Sequence, residues 1–222
     1  MTITIAKEIT DILPEFQVLA FNMDIQVDSS NEKILSQITE YKEKYSTISL
    51  PEILSLDRIK EGRDAYKALG KDPSRYRLAA ESLLRRLSKK RDLYLINNAV
   101  DIGNLLSISL NRSTAILNYD AIVGPINIRI GRKSDEYEGI GRGKIDISNV
   151  ILYEDDISPF GSTTSDTMRT RITNDTNKLL VFVICFTDTY ITESINECEK
   201  MFKELGNVAN FERVKVNYGR DK

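Results

Sequence analysis

The sequence predicts an α+β fold in a single domain, with N-terminal helices followed by mixed or antiparallel sheets. Three observations predict it. Apolar residues recur at helical spacing between positions 31 and 91, they alternate with polar ones from position 126 onward, and they run unbroken from Leu179 to Phe186. With 222 residues, 41% hydrophobic and 29% charged, the chain can bury one sizeable core. Within the single domain 1–222 the reading separates an N-terminal strand and helix part (1–56), a central core (57–190) and a C-terminal helix and strand (191–222).

The elements follow in order. Thr2 to Ile5 alternates and reads as a short strand. Phe21, Met23, Ile25 and Val27 alternate with Asn22, Asp24 and Gln26, a strand with one wet face. Ser30-Asn31 caps a helix bearing Ile34, Leu35, Ile38, Tyr41 and Tyr45. Pro51 to Leu69 reads as one helix ending at Gly70, and Asp72-Pro73 opens the next, lined by Leu78, Leu83, Leu84 and Leu87. Beyond position 120, Ile126, Ile128 and Ile130 mark a strand, Ile145 to Tyr153 more strand, and Leu179 to Ile184 a strand covered on both faces. A helix from Thr192 or Glu193 stops at Gly206, and Arg213 to Tyr218 forms a last strand.

Composition excludes much chemistry. The chain has no histidine, hence no Ser-His or Cys-His nucleophile pair and no imidazole base. Any catalysis rests on carboxylates, hydroxyls, lysine, backbone dipoles or the substrate itself. No cofactor and no metal site is expected. Net charge is −2, so a nucleic-acid contact needs a local basic patch. The longest apolar run is eight residues, too short to span a membrane, and the N-terminus lacks a signal-peptide pattern. Cys185 and Cys198 fall on apolar faces and read as reduced core thiols, which predicts a cytoplasmic setting.

Four stretches carry polar groups in suggestive patterns. In the first, Asn97, Asn98, Asp101 and Asn104 stand among apolar or small neighbours. Buried amides and carboxylates must find partners, so this segment is a hydrogen-bonded knot or the wall of a polar pocket. In the second, Arg75, Arg77, Arg85, Arg86, Lys89, Lys90 and Arg91 crowd one predicted helix, as a solvated face or a phosphate-contacting ridge. In the third, Gly139, Gly141 and Gly143 precede Lys144, but the spacing and the following Ile145 do not make a phosphate loop. A glycine turn is the plainer reading, with Glu136 and Glu138 upstream able to face a ligand. In the fourth, Phe160 to Thr176 is dense in hydroxyls and leads into the buried strand. There Arg169 presents a fork of donors for carboxylate or phosphate, which Asp166 could orient.

Taken together, Val100-Asp101-Ile102-Gly103-Asn104, Tyr119-Asp120, the strand with Arg129, the glycine turn and Ser165-Asp166-Thr167-Met168-Arg169-Thr170 resemble, in that order, proteins with the B3/B4 domain. That domain is the editing and tRNA-binding module of the β subunit of bacterial phenylalanyl-tRNA synthetase, and the closer likeness is to its free-standing relatives. The resemblance covers roughly Asp57 to Thr189. It implies a pocket between two sheet regions and hydrolysis of an amino acid wrongly esterified to tRNA. It casts Asp101 or Glu138 as the group that orients water, and Asn98, Asn104, Tyr119, Gly141, Ser165, Asp166, Arg169 and Thr170 as substrate contacts. Arg77, Arg85, Arg86, Lys89 and Lys90 become tRNA contacts, and mischarged tRNA the partner, with a homo-oligomer compatible. Three departures stand out: Leu117 replaces a family histidine, Gly103 a threonine, and Leu180 to Ile184 lacks the glutamate that reads the tyrosine hydroxyl, so tyrosine specificity does not carry over. A non-catalytic RNA-binding module and a pocket for a free amino acid remain the alternatives.

Overall fold

The computed structural model describes residues 1–219. It places two β-sheets face to face, with helices covering the outer face of one of them. The four-stranded sheet runs in the order β10-β2-β9-β3, built from Ala209–Val214 (β10), Gln17–Asp24 (β2), Lys178–Cys185 (β9) and Thr114–Asn118 (β3). The five-stranded sheet runs β11-β1-β4-β7-β8, from Val216–Tyr218 (β11), Ile3–Ile5 (β1), Ile126–Ile130 (β4), Ile151–Glu154 (β7) and Pro159–Ser162 (β8). A hairpin, Glu136–Gly139 (β5) with Gly143–Asp146 (β6), stands apart. β1 pairs parallel with both β11 and β4, while the four-stranded sheet is antiparallel throughout.

Strand β9 explains this layering. Its apolar run has no polar face, so both faces must be covered. Leu180, Phe182 and Ile184 point into the core between the sheets, beside Ile5, Ile128, Tyr153 and Phe160. Leu179, Val181, Val183 and Cys185 point the other way, beneath Asn98–Leu110 (α6) and Ile191–Gly206 (α7). The remaining helices, Lys7–Ile12 (α1), Glu32–Tyr45 (α2), Leu50–Ser55 (α3), Asp57–Ala68 (α4) and Ala79–Ser88 (α5), complete the set. Of these α2 to α5 enclose a third cluster around Tyr45, Ile53, Leu84 and Leu87.

Several elements differ from expectation. The helix expected over 51–69 is two helices, broken at Leu56, whose ψ of 127° is extended. A capping box between Ser49 and Glu52 starts the first piece. The helix expected from Asp72 begins only at Ala79. Asp72 caps a turn through Ser74, and Leu78 is drawn extended into the inter-sheet core, where its Cδ1 fits against Gly62. Arg75 and Arg77 therefore lie before α5, not on it. The last strand is also two, which join the chain's end to both sheets on either side of Lys215. Helix α7 ends on Asn207 in the left-handed conformation (φ 48°), one residue beyond the expected glycine. Both cysteines are free and buried, and no helix among the described residues is long and apolar enough to cross a membrane.

Because Phe182 is fully buried and meets Tyr153 edge-on at 5.1 Å, Phe182→Ala is expected to destabilise the fold by about 3–5 kcal/mol. Urea unfolding measures this, and a loss under 1 kcal/mol would contradict the layered core.

Candidate functional site

Helix α6 starts with a polar knot. Asn97 caps it, accepting from the Val100 N–H at 3.0 Å. The Asn98 side chain donates to the Gln26 carbonyl at 2.9 Å and accepts from the Asp28 N–H at 3.1 Å. Asp101 accepts from the Ser30 hydroxyl at 2.6 Å and the Ile96 N–H at 3.1 Å. These bonds staple the loop after β2 to the helix start. Burial raises the Asp101 pKa, with Ser30 and Ile96 opposing the rise. Asn98 and Asp101 thus serve the fold at this point, and neither lines a cavity.

The hydroxyl-rich loop is organised by a second set of bonds. Tyr66 Oη lies 2.6 and 2.8 Å from the hydroxyls of Thr163 and Thr164. Tyr137 donates to Ser162 Oγ at 2.6 Å and to the Ser165 carbonyl at 2.5 Å. Thr167 and Thr170 donate to the Phe160 carbonyl. Arg169 forks onto Asp155, not Asp166: its Nη1 and Nη2 reach the two Asp155 oxygens at 2.9 and 2.8 Å and the Ala121 carbonyl at 2.8 Å. The Asp155 side chain is fully buried, and although burial opposes it, Arg169 and three backbone N–H groups hold its pKa below the usual carboxylate range. Arg169 is therefore a strut between the loop and the five-stranded sheet.

Between these two regions lies a cavity of about 750 Å³, within the range of small-ligand sites. Asn97, Val100, Gly103 and Asn104 of α6 form one wall, and Thr114 and Ile116 of edge strand β3 the floor. Ile140 of the hairpin turn, Asp166, Met168 and the run from Arg171 to Asp175 close the other side. Gly103 permits the close approach of α6 to β3: a β-carbon there would stand 2.2 Å from Ile116 Cγ1.

Two charged side chains of the cavity stand out. Asp166 Oδ1 is buried and accepts no hydrogen bond. Burial pushes its carboxyl up to about 7. Gly161 makes room for it, since a β-carbon there would come within 2.6 Å of Oδ1. Arg171, two residues beyond the strut, is exposed at the cavity wall, and its only side-chain hydrogen bond among the described residues is to Met168 Sδ at 3.7 Å.

Of the residues expected at the site, Asn104 and Asp166 line the cavity. Ser165 does not line it, its carbonyl accepting from Tyr137; Thr170 is buried, and Tyr119 packs at the inter-sheet core under Lys178. Glu138 is exposed on β5, and Gly141 (φ 67°) sits at the open tip of the hairpin. The residues that sequence reasoning missed are Arg171, Thr114, Ile116 and Thr173 to Asp175. Among the described residues no three Cys, Asp or Glu side chains are placed to hold a metal ion.

The basic residues divide. Arg85 bonds Glu81 at 2.7 Å, a carboxylate it shares with Arg63 and whose side chain is fully buried. Arg86 Nε donates to the Asp92 carbonyl and its guanidinium stacks on Tyr94 at 3.9 Å. Lys89, Lys90 and Arg91 are exposed at the end of α5, and Arg77 is exposed before its start.

No curated protein matches this chain. Among solved structures, the N-terminal fragment of the phenylalanyl-tRNA synthetase β-subunit from Pyrococcus horikoshii is similar, with a TM-score of 0.53 and 13% identity. That likeness covers 98% of this chain but 52% of the other, so the chain spans about half the length of that relative. The family model of the B3/4 domain matches residues 61–203. That match takes in α6, the cavity, the hydroxyl loop and most of α7, and on it the chain belongs to the B3/4 domain family.

Proposed function

We propose that the cavity receives the aminoacylated 3′ end of a transfer RNA and hydrolyses its ester. The observation that carries this reading is the unpartnered Asp166 carboxyl on the wall of a cavity large enough for an amino acid and its ribose. Membership of the B3/4 family and the synthetase-like fold support it.

An aminoacyl ester is already reactive, so a positioned base and a few donors suffice. A carboxyl with a pKa of about 7 is half ionised at neutral pH and accepts a proton readily there. Asp166 draws a proton from water as the water oxygen bonds to the carbonyl carbon. The carbon–ribose-oxygen bond then breaks, and the ribose oxygen takes a proton as it leaves. The products are a free amino acid and a tRNA with its terminal hydroxyl restored. The Asn97 and Asn104 amides supply donors for the carbonyl oxygen, and Arg171 neutralises a backbone phosphate. Asp101 acts one step removed, by fixing the start of α6. The apolar lining of Val100, Ile116, Met168 and Ile172 fits an apolar amino-acid side chain.

One observation favours a second reading, RNA binding without catalysis: Asn98, Asp101, Arg169 and Thr170 are all engaged by the fold itself. A panel of mischarged tRNAs separates the two. Release of amino acid supports hydrolysis, whereas salt-sensitive binding with no release from any member supports the second reading.

If Asp166 is the base, kcat/KM above the uncatalysed background rises with pH through about 7, and Asp166→Asn lowers it on the order of 100-fold and flattens the profile. Stability supplies a separate sign. A carboxyl whose folded pKa is raised contributes most below its unfolded value near 4, and this contribution is lost as pH climbs to about 7. Asp166→Asn is therefore expected to match or exceed the parent in urea midpoint at pH 8. An equal rate in the variant rules out the base.

The two arginines are expected to separate cleanly. Arg169→Ala leaves Asp155 charged and buried, and should cost roughly 3–5 kcal/mol of stability. Arg171→Ala should leave the unfolding midpoint unchanged and raise KM about tenfold; a stable, fully active Arg169→Ala protein would reverse the assignment.

A further inference from the structure

The segment Arg91–Asn97 connects the basic end of α5 to the cavity; Arg91 and Asp92 are exposed at its start, Asp92 paired with Lys42, and the exposed side chains that follow are aromatic or aliphatic. Tyr94, Leu95 and Ile96 are 70%, 56% and 61% exposed in succession. Three consecutive large apolar residues left in water are unusual for a surface that does nothing. The segment is nonetheless held in place. Leu93 is buried in the cluster of α2 to α5, the Ile96 N–H donates to Asp101, and Asn97 caps α6.

Its electrostatic setting is specific. The Arg86 guanidinium lies 3.9 Å over one face of the Tyr94 ring, leaving the other face open. Lys89, Lys90 and Arg91 are exposed just before it, at the C-terminal end of α5. Just after it, Ile96 and Asn97 form part of the cavity wall, with Arg171 on the same cavity. A cation-backed aromatic ring flanked by exposed cations is the arrangement that holds single-stranded nucleic acid, by base stacking and phosphate neutralisation together.

We propose that Tyr94, Leu95 and Ile96 form a stacking ledge for the single-stranded 3′ nucleotides of an RNA, leading its terminal residue into the cavity. This deepens the function proposed above and rests on it for the identity of the RNA. The penultimate bases stack on the open face of Tyr94 and along Leu95, and Lys89, Lys90 and Arg91 run beside their phosphates. Charge complementarity favours RNA over a protein partner, because Lys89, Lys90 and Arg91 border the apolar steps on the α5 side and the one carboxylate there, Asp92, is paired with Lys42.

The test uses the full chain and two hairpin RNAs, one ending in a single-stranded CCA overhang and one blunt. Stacking is worth about 1–3 kcal/mol per base, so Tyr94→Ala should weaken binding of the overhang RNA at least about fivefold and leave the blunt RNA unchanged. Tyr94→Phe, which keeps the ring, should bind like the parent. Lys89→Glu with Lys90→Glu should flatten the salt dependence for the overhang RNA. A 2-aminopurine in the overhang should be quenched by the parent and by Tyr94→Phe, but not by Tyr94→Ala. Unchanged affinity in Tyr94→Ala, or an equal loss for both RNAs, overturns the ledge. So does a change in sedimentation of Tyr94→Ala without a change in RNA affinity, which assigns the patch to contact between copies. Tyr94-dependent binding with no ester hydrolysis would leave the ledge standing and remove the catalytic reading. Hydrolysis with KM unchanged in Tyr94→Ala would do the reverse.

Discussion

The double burial of strand β9 is the constraint on which the rest of the molecule depends. A strand with no polar side chain from Leu179 to Cys185 must have cover on both sides. The five-stranded sheet supplies one cover and helices α6 and α7 the other. The site follows from this. Edge strand β3 pairs with β9 in register from Thr114 with Val183 to Asn118 with Leu179. The hydroxyl loop is the segment that must lead the chain into β9. The cavity floor and its far wall are therefore both attached to a strand buried on both faces, the placement that holds binding groups in fixed geometry.

Charge pairing divides the polar residues near the cavity into two kinds. Asp155 is buried, and the fold answers it with Arg169 and three backbone N–H groups. Asp101 is answered by Ser30 and Ile96, and Glu81 by Arg63 and Arg85. Asp166 lies in the same region with one oxygen buried and unanswered. A buried polar group without a partner costs about 1–3 kcal/mol, more when charged, so it persists where something other than stability maintains it. Arg171 is the counterpart on the cationic side, exposed where Arg169 is locked. A chain without histidine can still hold a carboxyl whose pKa lies near neutrality, because desolvation alone moves an aspartate that far.

The proposed path into the cavity has a polarity of its own. Cations lie at the end of α5, Asp92 beside them is paired with Lys42, an aromatic and two aliphatic residues follow, and the cavity comes last. Phosphates, bases and an ester would meet matching chemistry in that sequence. The net charge of −2 does not oppose this, because the Debye length at physiological salt is only about 8 Å and a local cluster sets its own potential.

Much of this was legible in the chain itself. The α+β class, the doubly covered strand, the Asn31 cap and the glycine turn follow from local pattern, because periodicity and capping are short-range, whereas a pocket joining the Asn97–Asn104 stretch to the hydroxyl loop was implied only by the family resemblance. Which residue of each motif faces the cavity was not legible. Asn98 and Asp101 turn to a loop some seventy residues upstream, and Arg169 turns to Asp155, so that Asn97, Asn104 and Arg171 are left to line the void. Helix starts were misplaced for the same reason: Leu78 is drawn out of a helix by the inter-sheet core. Sequence spacing determines which groups arrive together, and tertiary packing alone decides which of them remain unpaired, because a hydrogen-bond partner distant in the chain leaves no local trace.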